Sequence, residues 1–380
     1  MTVRQERAGT HDGGGAKPLK ARGYRSAWAR VDNPLPRLTA IKIADWPQND
    51  REVYLAALET GDLLGDPGGA ATWRLKTRVN RSAVYGRFLG CLALNSHLVE
   101  RDTLIERVTT RNVDTFLAHL NATVSPMSAR QAILEVSFFL AAVRPDIDWR
   151  WVRKRPALPS ERQALASRKV KPFIEAADII APALARLSVL NELPTMRPDE
   201  AYEVMELALV VVGFFTKLRL SNLVGLTLGE SIFPGASPVR ISITEQHSKT
   251  AVLIETILSP RADWALRLYL NRARPVLLAE RPDAGLLWLH SRGIGVRDRT
   301  AWAIFSRLGQ RFLGRHVTPH TARYSYATTM QMAAPGSMGL TAAGLAHRGV
   351  ATMMHHYDQS GTAAAGARWG KIVKRYKSER

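Results

Sequence analysis

Four stretches in the second half of the chain carry side chains suited to chemistry on a phosphate. Thr318-Pro319-His320-Thr321-Ala322-Arg323 reads as a helix start, with Thr318 as N-cap and Pro319 as first helical residue. Residues three apart share a helix face, so His320 and Arg323 present an imidazole and a guanidinium together. The backbone N–H groups and dipole at that end make a ready anion seat. Standing alone, the motif is better explained as a helix cap with an incidental charge. Arg219, in Thr216-Lys217-Leu218-Arg219-Leu220-Ser221-Asn222-Leu223, follows a long apolar segment and falls at an element end; a surface arginine is the commoner meaning. Gly344-Leu345-Ala346-His347 is followed by Tyr357. Lys249 is the only lysine between Lys217 and Lys371, a stretch with sixteen arginines. Lysine can be tuned as a general acid and arginine cannot, although codon bias would leave the same trace.

These residues need elements to hold them. Apolar residues recur at helical spacing through residues 202–215, 302–313 and 322–332. Residues 239–244 and 251–258 alternate apolar and polar, which predicts a β-hairpin with Lys249 in its connection. Upstream, helices are predicted over 47–63, 73–94 and 112–120, and a fourth opens at Ser125-Pro126. Arg74, Arg78 and Arg81 share one face of the second of these. That face either grips DNA phosphates or is simply solvated. Residues 1–45 form a basic arm containing Gly13-Gly14-Gly15, and 46–152 a helical DNA-binding module. Residues 153–170 read as a basic linker with Pro156 and Pro159, 171–365 as the catalytic domain and 366–380 as a tail. The fold class is mainly α with a small antiparallel β-sheet.

Composition narrows the partner. Lys and Arg outnumber Asp and Glu by 53 to 33, a formal charge of +20. Such an excess calls for a polyanion, because each phosphate neutralised releases a condensed counterion. Nucleic acid comes first and an anionic membrane surface second. The apolar runs are too short to span a bilayer, and the N-terminus lacks the apolar stretch of a secretory signal. One cysteine, Cys91, excludes an intramolecular disulfide and a thiolate-rich zinc site. A cytoplasmic, nucleoid-associated protein is expected. His347, His355 and His356 cluster without enough carboxylates for a metal site, and Ser325 lacks the partners of a serine nucleophile. Met330, Met332, Met353 and Met354 read as core filler.

The order of Arg219, Lys249, His320-x-x-Arg323, His347 and Tyr357 resembles the tyrosine recombinase (phage integrase) family. The likeness spans residues 70–365 in domain order and is sharp over the catalytic half. It implies that Arg219 and Arg323 grip the scissile phosphate and that His320 and His347 hydrogen-bond around it. Lys249 would act as general acid and Tyr357 as nucleophile. Three departures stand out. His347 precedes Tyr357 by ten positions (357 − 347) where nine is usual, Asn222 replaces a frequent acid, and Tyr324 replaces a frequent histidine.

The resemblance also implies the reaction. Tyrosine's pKa of about 10 requires a strong local field for attack. Arginines meet the developing charge with forked donors, and preorganised positive charge supplies most of the stabilisation. The phosphotyrosyl bond stores the cleaved linkage, so no cofactor, metal ion or nucleotide, is expected. Expected partners are double-stranded DNA recombination sites, a tetramer pairing two sites, and an accessory directionality factor; no membrane is involved. A type IB topoisomerase would use the same chemistry to relax one duplex. A silent DNA-binding regulator would bind without cleaving.

Overall fold

The computed structural model describes residues 35–61, 67–167, 173–247, 252–334 and 336–346. The chain divides into two compact units, Met1–Val170 and Lys171–Arg380.

The first unit is helical: α1 (Gln48–Ala57), α2 (Leu75–Leu94), α3 (Leu104–Arg107), α4 (Thr110–Thr123), α5 (Pro126–Val143) and α6 (Glu161–Ala166). Local chemistry sets the starts. Ser125 accepts from the Ser128 N–H at 3.3 Å and Pro126 takes the first helical position, so α5 begins where its cap predicts. Helix α1 stops at Ala57, short of the predicted residue 63 and ahead of Gly61 at φ +73°. Helix α2 lays Val84, Tyr85, Phe88, Leu89 and Leu92 against α4 and α5, and Tyr85 stacks on Phe139 with ring centroids 4.3 Å apart. Under that stack, fully buried Arg107 pairs with Asp50 at 3.0 Å, and Tyr85 donates to the same carboxylate at 2.7 Å. Burial pushes the Asp50 carboxyl up, against the pull of Tyr85 and Arg107. Helical packing continues past residue 152: Ser160 and Gln163 form a capping box for α6, which lies along α5 with Ala164 buried.

The second unit comprises α7 (Ala176–Asn191), α8 (Pro198–Thr216), α9 (Leu220–Val224), β1 (Ile232–Phe233), β2 (Arg240–Ile243), β3 (Ile254–Ile257) and α10 (Pro260–Leu268). A π-helical turn, Tyr269–Ala273, leads into α11 (Arg274–Leu278); α12 (Asp298–Leu313), α13 (Pro319–Ala333) and α14 (Met338–Gly344) follow. Helix α8 is apolar on nearly every side, from Val204 to Phe214, and is accordingly enclosed by α7, α10, α11, α12 and α13. Its one deeply buried acid, Glu206, is met by Arg307 from α12. Gly213 lets α12 approach, since a Cβ there would meet Phe305 Cζ at 2.8 Å and Leu223 Cδ2 at 3.0 Å. The sheet has the order β1-β2-β3, all antiparallel, with Ile241 opposite Thr256 and Ile243 opposite Ile254. The predicted hairpin is therefore present, extended by a two-residue edge strand. Among the described residues, no helix is long and apolar enough to cross a membrane.

Candidate active site

Helix α13 begins as its sequence predicts. Pro319 is the first helical residue, the Thr318 N–H donates to Thr321 Oγ1 at 3.0 Å, and the two hydroxyls lie 3.2 Å apart. This cap sets the helix phase, which places His320 exposed and Arg323 three residues on, buried to 2% exposure. A guanidinium that deep requires acceptors, because an unpaired buried charge is costly. Arg323 Nη1 donates to the Lys217 carbonyl at 2.5 Å and Nη2 to the Leu345 carbonyl at 2.7 Å.

Those two carbonyls belong to the segments that carry other candidate residues. Lys217 caps α8 in the left-handed region, at φ 54° and ψ 23°, and Arg219 two residues later is the half-buried N-cap of α9. Leu345 follows α14, and Ala346 after it is also left-handed at φ 48°. Arg323 thus joins the α8–α9 turn, α13 and the segment after α14 through one planar group. Gly344 permits the close approach of that segment, since a Cβ there would run into the Tyr326 hydroxyl. Asn222 is buried, and its Nδ2 has no hydrogen-bond partner among the described residues. Ser325 is also buried, its hydroxyl likewise without a described partner. Lys249, His347 and Tyr357 lie outside the described residues.

Two further residues belong to this corner. The Lys217 ammonium sits 4.5 Å from the centroid of the Tyr326 ring. Burial, reinforced by the Arg323 charge, holds its pKa below the usual lysine value. Burial also raises the Tyr326 phenol. Tyr326 could have been found as the next i+3 position after His320 and Arg323. Lys217 carries no such mark, because lysine does not signal a left-handed backbone.

The arginine face of α2 divides. Arg74 is exposed. Arg78 donates to the Trp73 carbonyl at 2.9 Å and to the Ala71 carbonyl at 2.8 Å. Arg81 lies 4.4 Å from the Trp73 ring and 5.2 Å from the Phe138 ring, with Nε 3.1 Å from Glu135. Arg78 and Arg81 thus each support the fold of their own unit.

No protein-family profile matches the chain. It is 30% identical to tyrosine recombinase XerD of Corynebacterium glutamicum over 165 residues, 40% of this chain and 52% of that protein. It is 27% identical to tyrosine recombinase XerC of Actinobacillus pleuropneumoniae over 164 residues, 43% of this chain and 50% of that protein. The chain thus spans about half the length of the curated relatives it matches. In fold it is similar to XerH site-specific recombinase bound to palindromic difH substrate, with TM-score 0.53, 13% identity and coverage of 78% and 79%. It is also similar to the Tn1549 transposon integrase in complex with transposon right end DNA, with TM-score 0.51, 13% identity and coverage of 85% and 98%. The chain is thus similar in sequence to tyrosine recombinases over part of its length, and similar in fold to a site-specific recombinase and a transposon integrase. The mainly α fold with a small antiparallel sheet is the one that resemblance implies.

Proposed function

We propose that this protein is a site-specific DNA recombinase that cleaves and rejoins strands through a covalent 3′-phosphotyrosyl intermediate. The observation that carries the reading is the clamp of Arg323 on the carbonyls of Lys217 and Leu345. It gathers the turn of Arg219 and the helix of His320 around one buried cation, in a chain similar in sequence to tyrosine recombinases over part of its length. The Tyr357 hydroxyl attacks the scissile phosphorus and the 5′ oxygen leaves, protonated by Lys249. Arg219 meets the charge on the non-bridging oxygens, and Arg323 reinforces it from a low-dielectric surround where its field is strong. His320 takes the tyrosine proton and His347 adds a hydrogen bond. A 5′-OH from a second strand then attacks the phosphotyrosyl bond and frees Tyr357.

Double-stranded recombination sites are the proposed substrate, in keeping with the DNA complexes of XerH and the Tn1549 integrase. Exchange between two sites calls for four protomers and, where direction matters, an accessory factor, in a cytoplasmic, nucleoid-associated setting. A nicked duplex that traps the cleaved state tests the reading. Wild-type protein should form a covalent adduct, and Tyr357→Phe should form none while still binding DNA. An adduct with Tyr357→Phe would show the nucleophile to be wrong. Binding without any wild-type adduct would indicate a silent DNA-binding protein, and relaxation without joining of two duplexes a topoisomerase.

A further inference from the structure

We propose that the Lys217 ammonium is a further phosphate-contacting cation of the strand-cleavage site, seated beside Arg323. The inference rests on the recombinase reading above. Its starting point is a residue type at odds with its backbone. Lys217 adopts φ 54°, a region that glycine enters freely and a lysine does not. The conformation has a local use, since it turns the Lys217 carbonyl toward Arg323 Nη1, 2.5 Å away. Glycine would serve that use without strain, so the lysine side chain needs a reason of its own.

That side chain places a positive charge where one already exists. The ammonium lies over the Tyr326 ring, 4.5 Å from its centroid, on the helix that carries Arg323. Among the described residues, no carboxylate pairs with Lys217. The groups that face it are Arg323 and Tyr326 from α13, with Arg219 two residues along its own chain. The residues of α9 and those described in α14 include no ionisable side chain. Burial and the Arg323 charge both disfavour the ammonium, and among the described residues only the face of the Tyr326 ring favours it. A phosphodiester monoanion between the two cations reverses the balance, turning their repulsion into attraction to a shared ligand. The bland alternative is a lysine stem covering Tyr326, with its charge incidental.

The two roles separate in full-length variants Lys217→Met, Lys217→Arg and Lys217→Gly. Methionine keeps the stem without the charge, arginine keeps the charge, and glycine removes both while relaxing the backbone. The probe is a nicked duplex enriched from a random-sequence library by binding to the wild-type protein. Single-turnover adduct formation should fall about a hundredfold in Lys217→Met and Lys217→Gly, and Lys217→Arg should restore most of it. Thermal melting should show all three folded, with Lys217→Gly no less stable than wild type. A lowered lysine pKa means that the ammonium is lost, as pH rises, before the free-lysine value of about 10.4 is reached. The affinity advantage of wild type over Lys217→Met should therefore fade with rising pH before that value, while Lys217→Arg keeps its advantage.

Equal cleavage by wild type and Lys217→Met at neutral pH overturns the proposal, as does failure of arginine to outperform methionine. If the wild type binds the enriched duplex but forms no adduct, the recombinase reading falls. Lys217 is then judged on binding, and equal affinity of wild type and Lys217→Met overturns this proposal too.

Discussion

Arg323 invites a substitution whose sign separates two views of its role. If the guanidinium were a buried cation held only for a phosphate, removing it would relieve a desolvated charge. Arg323→Ala would then leave the DNA-free protein as stable as before, or more stable. The structure argues the opposite. Arg323 is 2% exposed and donates to the Lys217 and Leu345 carbonyls at 2.5 and 2.7 Å. A hydrogen bond from a charged donor contributes about 1.5–3 kcal/mol, and a buried acceptor left unmet loses much of that. Two such bonds, at the low end because water enters the vacated space, give about 3 kcal/mol of destabilisation. At about 1.4 kcal/mol per tenfold, local opening becomes about a hundredfold more frequent. Hydrogen–deuterium exchange in the full-length protein, without DNA, reads this in peptides covering Pro319–Ala333 and Met338–Gly344. Exchange there should accelerate about a hundredfold in Arg323→Ala, with helices of the first unit unchanged. Arg323→Lys should fall between, because one ammonium cannot span two carbonyls as a planar fork does. Unchanged or slower exchange in Arg323→Ala would refute the clamp and leave Arg323 with a phosphate role alone.

Three further outcomes follow from particular residues. Arg74 is exposed, and the proposed contact with a DNA backbone predicts that Arg74→Ala lowers the slope of log affinity against log salt by about 1. Arg81→Ala should leave that slope unchanged and lower the melting temperature of the first unit, because Arg81 is held by Trp73, Phe138 and Glu135. In the second unit, Arg274 holds the Asp283 carboxyl down at about 2, gripping it at 2.6 and 2.7 Å. A depressed carboxylate contributes stability above its unfolded pKa of about 3.9 and loses it as pH falls through its folded value. Asp283→Asn should therefore lower the urea midpoint at about pH 5, and the wild-type and variant curves should converge near pH 2. Curves that stay parallel down to that pH would detach the effect from Asp283 ionisation.

What could be read in advance depends on the distance over which each feature is decided. The α13 start is legible because Thr318, Pro319 and Thr321 settle it within one turn, and the hairpin because alternation marks each strand by itself. The edge strand Ile232–Phe233 is not, since two residues are too few for a period. Spacing puts Arg74, Arg78 and Arg81 on one face of a helix, whereas Arg74 is the extended N-cap residue before α2. Spacing also says nothing of what covers that face, and Glu135, 54 residues on, helps decide it for Arg81. The same holds at the site. Motif order marks Arg219 and Arg323 as cations for a phosphate, with His320 beside them, because charge belongs to residue type. That Arg323 also binds the Lys217 carbonyl, 106 residues back, follows from burial, which no residue type announces. Lys217 is the sharpest case. Its left-handed backbone serves an arginine on another helix, and its side chain is the one a turn of that kind least requires. Where a residue satisfies a distant partner through its backbone against its own preference, its side chain is the place to look for function.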